Sequence, residues 1–336
     1  MQPILSKLIQ RQDLTRNEMA QTMDQIMEGK ATPAQIAALL TALRLKGETV
    51  DEVTGAAETM RRHAVFIDAG ARTVVDTCGT GGDAANTFNI STTTAFVAAG
   101  AGICVAKHGN RAVSSKCGSA DVLAALGVNI EAAPAVVEQC IQEHGIGFLF
   151  APKMHPAMKY AAPVRRELGF RTLFNMLGPL TNPAGATGQV LGVFAAPLTE
   201  MFANVLRQLG TRRAFVVHGM DGLDEITATG RTRVCELRDG QVRTYELSAE
   251  LIFGESCHPK DLAGGEPAQN AEILRGILSG KTQGAPRNVV LLNAAAAIVA
   301  GEKADRFEDG LRLATESIDS GAALKKLETL ITATKG

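Results

Sequence analysis

The sequence lacks the cysteine pairs, long apolar runs and signal sequence that mark several large protein classes. Its six cysteines are scattered and form no C-x-x-C pair, so we expect reduced thiols in a cytosolic enzyme rather than a zinc site or a redox dithiol. No apolar run approaches the roughly 20 residues that a membrane-spanning helix requires. The N-terminus also lacks the basic, apolar and small-residue series of a secretory signal, and we therefore expect a cytoplasmic location.

An excess of charge is missing too, with 34 Lys and Arg residues against 35 Asp and Glu. The net charge of −1 gives no reason to expect nucleic acid or an anionic membrane as a partner. A hydrophobic fraction of 46% is typical of a packed globular protein and excludes a disordered one. The length of 336 residues favours one large domain or two unequal ones.

Several catalytic motifs are also absent. No Gly-Lys-Ser or Gly-Lys-Thr follows the glycine-rich turn at residues 79–82, which excludes a Walker A loop there. The histidines lack the H-x-x-x-H spacing of a zinc helix, and the chain has no G-x-S-x-G nucleophile elbow. Cys78 and Cys117 have no adjacent histidine base, so the sequence gives no support for covalent catalysis.

The first 70 residues predict a small helical domain. Thr15 with Glu18 and Thr49 with Glu52 have the spacing of capping boxes, and Thr32 precedes a proline at the first helical position. The apolar faces that follow are too extensive for one thin layer to hide, so we expect them to form a subunit contact in a homodimer. These faces consist of Met19, Met23, Ile26, Ile36, Leu39 and Leu43.

From Ala71 onward, short apolar strands alternate with helices. This alternation predicts βαβ units and an α/β domain with a central, mostly parallel sheet that is covered on both faces. Asp239-Gly240 predicts a hairpin between residues 231 and 247. The expected strands are 73–75, 103–105, 146–150, 190–194 and 214–217, the expected helices start near Ser91, Ser119, Pro134 and Thr199, and the last helices cover 293–299 and 307–331.

The first strand leads into a turn with three glycines, Gly79, Gly81 and Gly82. Closely spaced glycines let backbone N–H groups approach an anion, although a simple tight turn explains them equally well. Gly79, Gly81 and Ala84 match the loose form of a dinucleotide fingerprint. Because the acidic residue expected about 20 positions later is missing, a Rossmann-type dehydrogenase is disfavoured.

Two further segments have the composition of anion sites. Residues 89–93 place several polar side chains at a helix start, where they either cap the helix or bind an anion. Between Asp83 and Asp121 there is no acidic residue, whereas Lys107, Arg111 and Lys116 lie in that window. This composition favours a phosphate-binding surface, and the alternative is a solvated, mobile basic loop.

Asp224 and Glu225 follow a predicted strand and should reach the same edge of the sheet. Mg²⁺, which commonly accompanies phosphorylated substrates, prefers such oxygen ligands, and Ser91 supplies a further hydroxyl. The alternative is that the two carboxylates are solvated surface charge.

Four segments, 79–83, 89–92, 107–121 and 171–183, together resemble the anthranilate phosphoribosyltransferase family, in the right order over nearly the whole chain. The resemblance implies a helical domain at 1–70 joined to an α/β domain at 71–336 of the nucleoside phosphorylase and phosphoribosyltransferase type. It also implies a homodimer formed through the helices, with residues 163–183 packed on the helical domain.

The implied reaction is an early step of tryptophan biosynthesis. The phosphoribosyl group passes from 5-phosphoribosyl 1-pyrophosphate (PRPP) to the amine of anthranilate, with Mg²⁺ as cofactor at two ions per subunit. Catalysis would rest on stabilising the leaving group and aligning the amine. The implied metal ligands are Ser91, Asp224 and Glu225, and the implied anthranilate contacts are Gly79, Asn110 and Arg165, with Arg166 as the alternative arginine. The implied PRPP contacts are Gly79, Gly82, Asp83, Thr87, Asn89, Ile90, Ser91, Thr92, Lys107, His108, Gly109, Asn110, Arg111, Ala112, Val113, Ser114, Ser115 and Ser119.

Two other functions stay open at this point. A pyrimidine nucleoside phosphorylase shares this architecture but needs no pyrophosphate site, and the Asp224-Glu225 pair favours the transferase. A non-catalytic relative that binds nucleic acid or another polyanion is disfavoured by the near-neutral charge and by Arg165.

Overall fold

A computed structural model describes residues 1–70, 72–83, 85–112, 115–254 and 257–335. Of the predicted site residues, Val113 and Ser114 lie outside the described residues, as does Ala84 of the fingerprint. Within the described chain, no helix has both the length and the apolar character needed to cross a bilayer. All six cysteines fall in the described part, and no disulfide joins any two of them.

The N-terminal part consists of helices whose predicted starts are confirmed. The side chains of Thr15, Thr32 and Thr49 each accept a hydrogen bond from the backbone N–H three residues later, and the third residue bonds back to the cap. The first helix was not predicted, because no Ser, Thr, Asp or Asn precedes it to mark its start. The four helices are α1 (Gln2–Ile9), α2 (Arg16–Met27), α3 (Pro33–Lys46) and α4 (Val50–Arg62).

The rest of the chain is built on a seven-stranded sheet with the order β3-β2-β1-β4-β5-β6-β7. The first five strands in this order are parallel, and β6 and β7 are added as an antiparallel hairpin, so the predicted mostly parallel sheet is confirmed. The strands are β1 (Val74–Gly79), β2 (Cys104–Gly109), β3 (Ile146–Phe150), β4 (Gly188–Gly192), β5 (Arg213–Gly219), β6 (Arg231–Arg238) and β7 (Gln241–Ser248).

The two strands that lead into the candidate site are longer than predicted. β1 continues to Gly79, and β2 continues through Lys107 and His108 to Gly109. β1 lies between β2 and β4, where Gly79 pairs with Gly192, so parallel neighbours extend the strand through polar and glycine residues that sequence propensity assigns to a turn.

Helices cover both faces of the sheet. One face packs against helices of the C-terminal part, and the other packs against α11 and the N-terminal helices in one continuous core. The helical end predicted at 307–331 is confirmed as two helices, because Gly321 adopts a positive φ of 77° between them. The helices after α4 are α5 (Ile90–Gly100), α6 (Ser119–Leu126), α7 (Pro134–His144), α8 (Ala151–Met154), α9 (Ala162–Leu168), α10 (Leu173–Leu177), α11 (Leu198–Gln208), α12 (Ala249–Phe253), α13 (Pro267–Leu278), α14 (Ala285–Ala300), α15 (Phe307–Asp319) and α16 (Ala322–Ala333). Short 3₁₀ turns lie at Pro156–Tyr160, Gly178–Leu180 and Pro259–Leu262.

The argument that the N-terminal apolar faces need a second subunit is wrong. Met19, Met23, Ile26, Ile36, Leu39 and Leu43 are all buried within the single chain. They pack with α9, α10 and α11 and with the near face of the sheet, so the chain itself supplies the missing layer. The large apolar side chains that remain exposed on these helices are Ile9 (77% exposed) and Leu45 (74%).

Candidate functional site

The predicted site segments meet at the carboxyl edge of the parallel strands. In the order β3-β2-β1-β4-β5, the strands after β1 are first added on one side of it, as β2 and β3. From β4 onward they are added on its other side, so the strand order reverses between β1 and β4. Ligands of open α/β sheets bind at such a switch point, beyond the carboxyl ends of the strands. The turn after β1, the end of β2 and the loop after β5 all reach this edge.

The turn after β1 is held by its neighbours on three sides. Gly81 and Gly82 have φ values of 67° and 78°, which favour glycine, and the Gly81 N–H donates a 2.7 Å hydrogen bond to Asp224 Oδ2. The Thr80 N–H donates to the carbonyl of Gly192 at 2.9 Å. The Arg171 guanidinium donates to the carbonyl of Gly82. The turn is therefore an ordered backbone cradle rather than an isolated tight turn.

Asp224 and Glu225 are buried, each with 9% of its surface exposed. The interpretation of this pair as solvated surface charge is thus wrong. Burial, together with the nearby Asp83 carboxylate, raises the pKa of Asp224 to about 7. Burial and the neighbouring Asp224 raise the pKa of Glu225 well above its usual range. The structure therefore places two adjacent buried carboxyls at this point, where burial and their proximity to each other oppose their ionisation.

The Lys107 ammonium lies beside these carboxylates and is itself only 4% exposed. Its Nζ donates to the carbonyl of Thr77 at 2.5 Å and to Ser91 Oγ at 3.3 Å. Burial lowers the pKa of Lys107, while the charges of Asp76 and Glu225 act in the opposite direction. Lys107 is thus a buried cation between the sheet edge and the start of α5.

The start of α5 leaves hydrogen-bonding groups available. Asn89 is its N-cap residue but forms no side-chain cap bond within the described chain, so the expected capping role is wrong for Asn89. Its amide instead donates to the carbonyl of Cys117 at 3.1 Å and accepts from Asn270 at 3.0 Å. The Ser91 backbone N–H favours the charged form of Glu225 and acts to lower the pKa of that carboxyl. Among the described residues, the buried Thr92 hydroxyl has no partner.

The chain is buried at the end of β2 and exposed in the segment that follows it. His108 lies in the protein interior, while Asn110, Arg111 and Ser115 are exposed. Asp121 closes the segment: its carboxylate accepts from the Ala112 and Gly118 N–H groups at 2.8 and 2.9 Å and pairs with Arg111 at 3.0 Å. The mobile-loop interpretation therefore fails for the described start and end of the segment.

The other predicted PRPP contacts lie around the same edge. Ser119 Oγ donates to the carbonyl of Asn110 at 3.2 Å, and Gly109 leaves the space that Ser119 and Phe148 occupy. Thr87 forms an isolated antiparallel bridge with Ala263. The Ile90 side chain belongs to the hydrophobic core, so only its backbone can face a ligand.

Arg165 and Arg166 differ in their surroundings. Arg165 is half-buried, its guanidinium lies 5.3 Å from the centre of the Phe174 ring, and burial lowers its pKa. Arg166 is exposed. Among the described residues, no hydrogen bond joins Arg165 to Gly79 or Asn110, the other predicted anthranilate contacts.

A buried histidine pair adjoins the site. The rings of His108 and His155 have centres 5.0 Å apart, and His108 Nδ1 lies 3.2 Å from the carbonyl of Gly178. Burial lowers the pKa of His108 to about 3 and that of His155 to about 4, so both rings are neutral near pH 7. Their Nε2 atoms have no hydrogen-bond partner among the described residues.

The donor set fits a divalent cation that also binds a phosphorylated ligand. Among the described residues, no group of three or more His, Cys, Asp and Glu side chains is arranged as a complete metal cage. Asp224 and Glu225 do supply adjacent carboxylates whose mutual repulsion a cation would relieve, and Ser91 Oγ shares Lys107 as a neighbour with Glu225. Mg²⁺ commonly takes one or two protein carboxylates and completes its octahedron with waters and phosphate oxygens.

Several residues that shape the site were missed by sequence reasoning. Arg171 lies in a quoted motif but was given no role, and it stacks 4.1 Å from the centre of the Phe194 ring while holding the glycine turn. His155 and Asn270 carried no signal, since their partners are distant in sequence. Asn293 did have a signal in the sequence, because it is a single amide inside an apolar helical run, and a buried amide needs hydrogen-bond partners.

Comparisons with known proteins agree with this arrangement. Residues 71–324 match the model of the glycosyl transferase family, a/b domain, and residues 2–64 match that of the helical bundle domain of the same family. The anthranilate phosphoribosyltransferase of Desulfosudis oleivorans is 62% identical, and the alignment covers 98% of each chain.

Solved structures of two enzymes have the same fold. The anthranilate phosphoribosyltransferase of Thermus thermophilus matches with a TM-score of 0.94 at 43% identity, over 99% of each chain. The Saccharomyces cerevisiae enzyme in complex with PRPP and Mg matches with a TM-score of 0.90 at 28% identity, over 99% of this chain and 97% of that one. The same yeast enzyme in complex with 4-fluoroanthranilate matches with a TM-score of 0.88 at the same identity and coverage.

Proposed function

The chain belongs to the anthranilate phosphoribosyltransferase family, and we propose on this basis which of its residues bind the donor, the metal and the acceptor in phosphoribosyl transfer. The enzyme transfers the phosphoribosyl group of PRPP to the amine of anthranilate, giving N-(5-phosphoribosyl)anthranilate and pyrophosphate, in tryptophan biosynthesis. The observation that carries the residue assignment is the buried Asp224-Glu225 pair, which meets the glycine turn at the switch point of the sheet.

The donor site comprises the glycine turn, the start of α5 and the segment after β2. The N–H groups around Gly79 and Gly82, the free Thr92 hydroxyl and the Lys107 ammonium all suit phosphate oxygens. Asn89, which is fixed by two side-chain hydrogen bonds, is suited to the ribose. The remaining PRPP contacts named from the sequence stay predictions.

The metal site comprises Ser91, Asp224 and Glu225. When bound, Mg²⁺ neutralises the charge that develops on the departing pyrophosphate. The Lys107 ammonium acts on Glu225 and donates to Ser91 Oγ, so one positive charge lies next to these ligands. Two ions per subunit stay a prediction.

The acceptor site lies beside α9 and the end of β2. We assign the anthranilate carboxylate to Arg165, because it is half-buried against Phe174 whereas Arg166 faces solvent. Arg165 carries no carboxylate partner among the described residues, so its donors are available. The neutral His108 and His155 rings line the interior on this side and add no charge that would compete for the carboxylate.

The chain's own residues promote transfer by orientation and electrostatics. The bond between ribose C1 and the pyrophosphate oxygen breaks with its electron pair leaving on pyrophosphate, while the amine nitrogen of anthranilate bonds to C1 and releases one proton to the solvent or to pyrophosphate. Backbone N–H groups and Lys107 stabilise the negative charge of the leaving group, and Arg165 keeps the amine in line with C1. Such a reaction needs no strong base.

We also assign a homodimer contact to the outer surface of α1 and α3. Ile9 and Leu45 are strongly exposed there, and α1 packs on α3. Homodimer interfaces are more apolar than the rest of a protein surface, which favours a contact that covers both side chains. The division into domains at residue 70 and a cytoplasmic location stay predictions.

The reaction is tested by the fluorescence of anthranilate. The signal should fall when PRPP, Mg²⁺ and enzyme are all present, and it should remain constant when any one of them is omitted. Phosphorolysis of thymidine or uridine by inorganic phosphate is the matched control for a nucleoside phosphorylase. Activity in that control without loss of anthranilate would contradict the assignment.

A further inference from the structure

We propose that Asn293, in the buried helix α14, is the positioning residue that fixes the Asp224-Glu225 pair and thereby sets the affinity of the enzyme for metal in the presence of PRPP. This inference rests on the proposed function of the two carboxylates. Asn293 itself contacts neither the metal nor a substrate in this proposal.

The side-chain amide of Asn293 hydrogen-bonds both backbone polar groups of Ile226, the residue that follows Glu225. The Ile226 N–H donates to Asn293 Oδ1 at 3.0 Å, and Asn293 Nδ2 donates to the carbonyl of Ile226 at 2.8 Å. The same Nδ2 group donates to the carbonyl of Val289 at 2.8 Å, one turn earlier in α14. Both polar backbone groups of Ile226 are therefore tied to a helix that packs on the sheet.

The carboxylate loop, defined as residues 220–230 between β5 and β6, needs such an anchor. Asp224 and Glu225 are adjacent, buried and of like charge, so their repulsion and desolvation oppose this loop conformation. Within the described chain, the loop contains no helix or strand to hold it. Its position therefore depends on hydrogen bonds to its backbone and on the burial of Leu223, Ile226 and Ala228 in the core.

Contacts on the sheet side hold the loop at Asp224. The carbonyl of Asp224 lies so close to Gly192 that a Cβ at this position would overlap it, and the Gly81 N–H donates to Asp224 Oδ2. These contacts fix Asp224 against β1 and β4 but do not involve the residue after Glu225. Asn293 bonds the backbone of Ile226 from α14 and so restrains the other side of the carboxylate pair.

Packing alone does not explain an asparagine at this position. Asn293 is fully buried in a helix whose neighbours are Val, Leu and Ala, and Ala or Leu would be better helix formers there. A buried amide is tolerated only when its hydrogen bonds are satisfied. Here the bonds go to the residue next to a metal carboxylate, which assigns the asparagine to the loop rather than to the helix.

The test is calorimetric titration of Mn²⁺ into the full-length protein in the presence of PRPP and without anthranilate. Asn293→Ala removes all three hydrogen bonds, and Asn293→Asp keeps the shape but removes the Nδ2 donors. Mn²⁺ should bind both variants about 10- to 100-fold more weakly than it binds the wild type, the range for groups that orient metal ligands. The KM for anthranilate at saturating metal and PRPP should stay within about twofold of the wild-type value.

Ser317→Ala is the matched control, because it removes one buried hydrogen bond, to the carbonyl of Val97, away from the site. Its Mn²⁺ affinity should equal that of the wild type. Equal affinities in folded Asn293 variants would overturn the inference, whereas absence of Mn²⁺ binding by the wild type with PRPP would overturn the metal assignment itself. Should the variants not fold, hydrogen exchange of the Ile226 backbone amide in the wild type tests the inference instead. Exchange only through global unfolding supports the hydrogen bonds between Asn293 and Ile226, and rapid exchange contradicts them.

Discussion

Arg165 and Arg166 are neighbours in sequence, but the structure gives them different environments. Because Arg165 is half-buried and stacked on Phe174, it can hold a carboxylate with two charge-assisted hydrogen bonds. Arg165→Ala should raise the KM for anthranilate roughly 30- to 150-fold, which corresponds to about 2 to 3 kcal/mol, and leave the KM for PRPP nearly unchanged. The measurement is steady-state kinetics with each substrate varied in turn.

Arg166→Ala is the control, since this side chain faces solvent. It should change neither KM by more than about twofold, as is usual for an exposed charge. An equal loss for both substrates in Arg165→Ala, or a selective loss in Arg166→Ala, would contradict the assignment of the anthranilate carboxylate.

The buried carboxylates predict opposite effects on activity and stability. The double change Asp224→Asn with Glu225→Gln should abolish most turnover, because it removes the charged metal ligands. It should also raise the melting temperature of the metal-free protein, since it removes two like charges from a buried site. Calorimetry with and without Mg²⁺ and PRPP checks both effects. A melting temperature below that of the wild type would show that the pair stabilises the fold.

The raised pKa of Asp224 also predicts a pH dependence. The pKa of this carboxyl is about 7 in the folded protein against 3.8 as its ordinary value, so between these pH values the folded state binds more protons than the unfolded state. Its contribution to stability is therefore lost as the pH rises through about 7, at about 1.4 kcal/mol for each pKa unit. His108 acts in the opposite sense, since its pKa falls from 6.5 to about 3.

A difference measurement separates the two groups. The unfolding free energy of metal-free Asp224→Asn minus that of the wild type should increase between pH 5 and pH 8, while the His108 contribution cancels. A difference that does not change with pH would show that Asp224 is not protonated in the folded protein.

At the residue scale, the sequence placed Asp224 and Glu225 at the correct edge but could not show their burial. The position of a residue at a strand end follows from the local pattern. Burial depends on contacts with residues far away along the chain, such as those of Asp224 with Gly192 and Gly81. The same reason explains why the role of Arg171 was missed.

Secondary-structure elements were best predicted where their ends are set locally. The capping boxes at Thr15, Thr32 and Thr49 form as the spacing predicts. β1 and β2 instead run further than their apolar residues indicate, because neighbouring strands pair with their polar ends. A strand end that depends on hydrogen bonding to strands far away in the sequence cannot be predicted from a local pattern.

Thr32→Ala tests such a local end. The Thr32 side chain accepts from the Gln35 N–H at 3.3 Å, and its removal should cost about 1 kcal/mol of stability. The anthranilate and PRPP kinetics should not change, because the helix start is exposed and lies in the N-terminal helices. Thr32→Ser, which keeps the cap, is the control in denaturant unfolding. Equal losses in the two variants would show that the cap bond is not the source of the stability.

At the scale of the whole molecule, the alternation of strands and helices was enough to predict the fold class, but not which surfaces stay exposed. The apolar side chains of α2 and α3 that were expected to need a partner are covered by α9, α10, α11 and the sheet within one chain. Periodicity shows that a face needs a partner and does not show which element supplies it. The subunit contact has to be sought on side chains that remain exposed after this packing.

Ile9 and Leu45 are therefore the residues on which the homodimer is tested. The wild type should sediment at micromolar concentration with twice the 35.3 kDa mass of one chain. Ile9→Glu combined with Leu45→Glu should shift it to the monomer, because two charges would be buried at each half of the contact. Leu251→Glu, at a side chain that is 88% exposed on α12, is the control and should leave the mass unchanged. A wild-type monomer would refute the homodimer, and a dimer that persists in the Ile9 and Leu45 variant would place the contact on another surface.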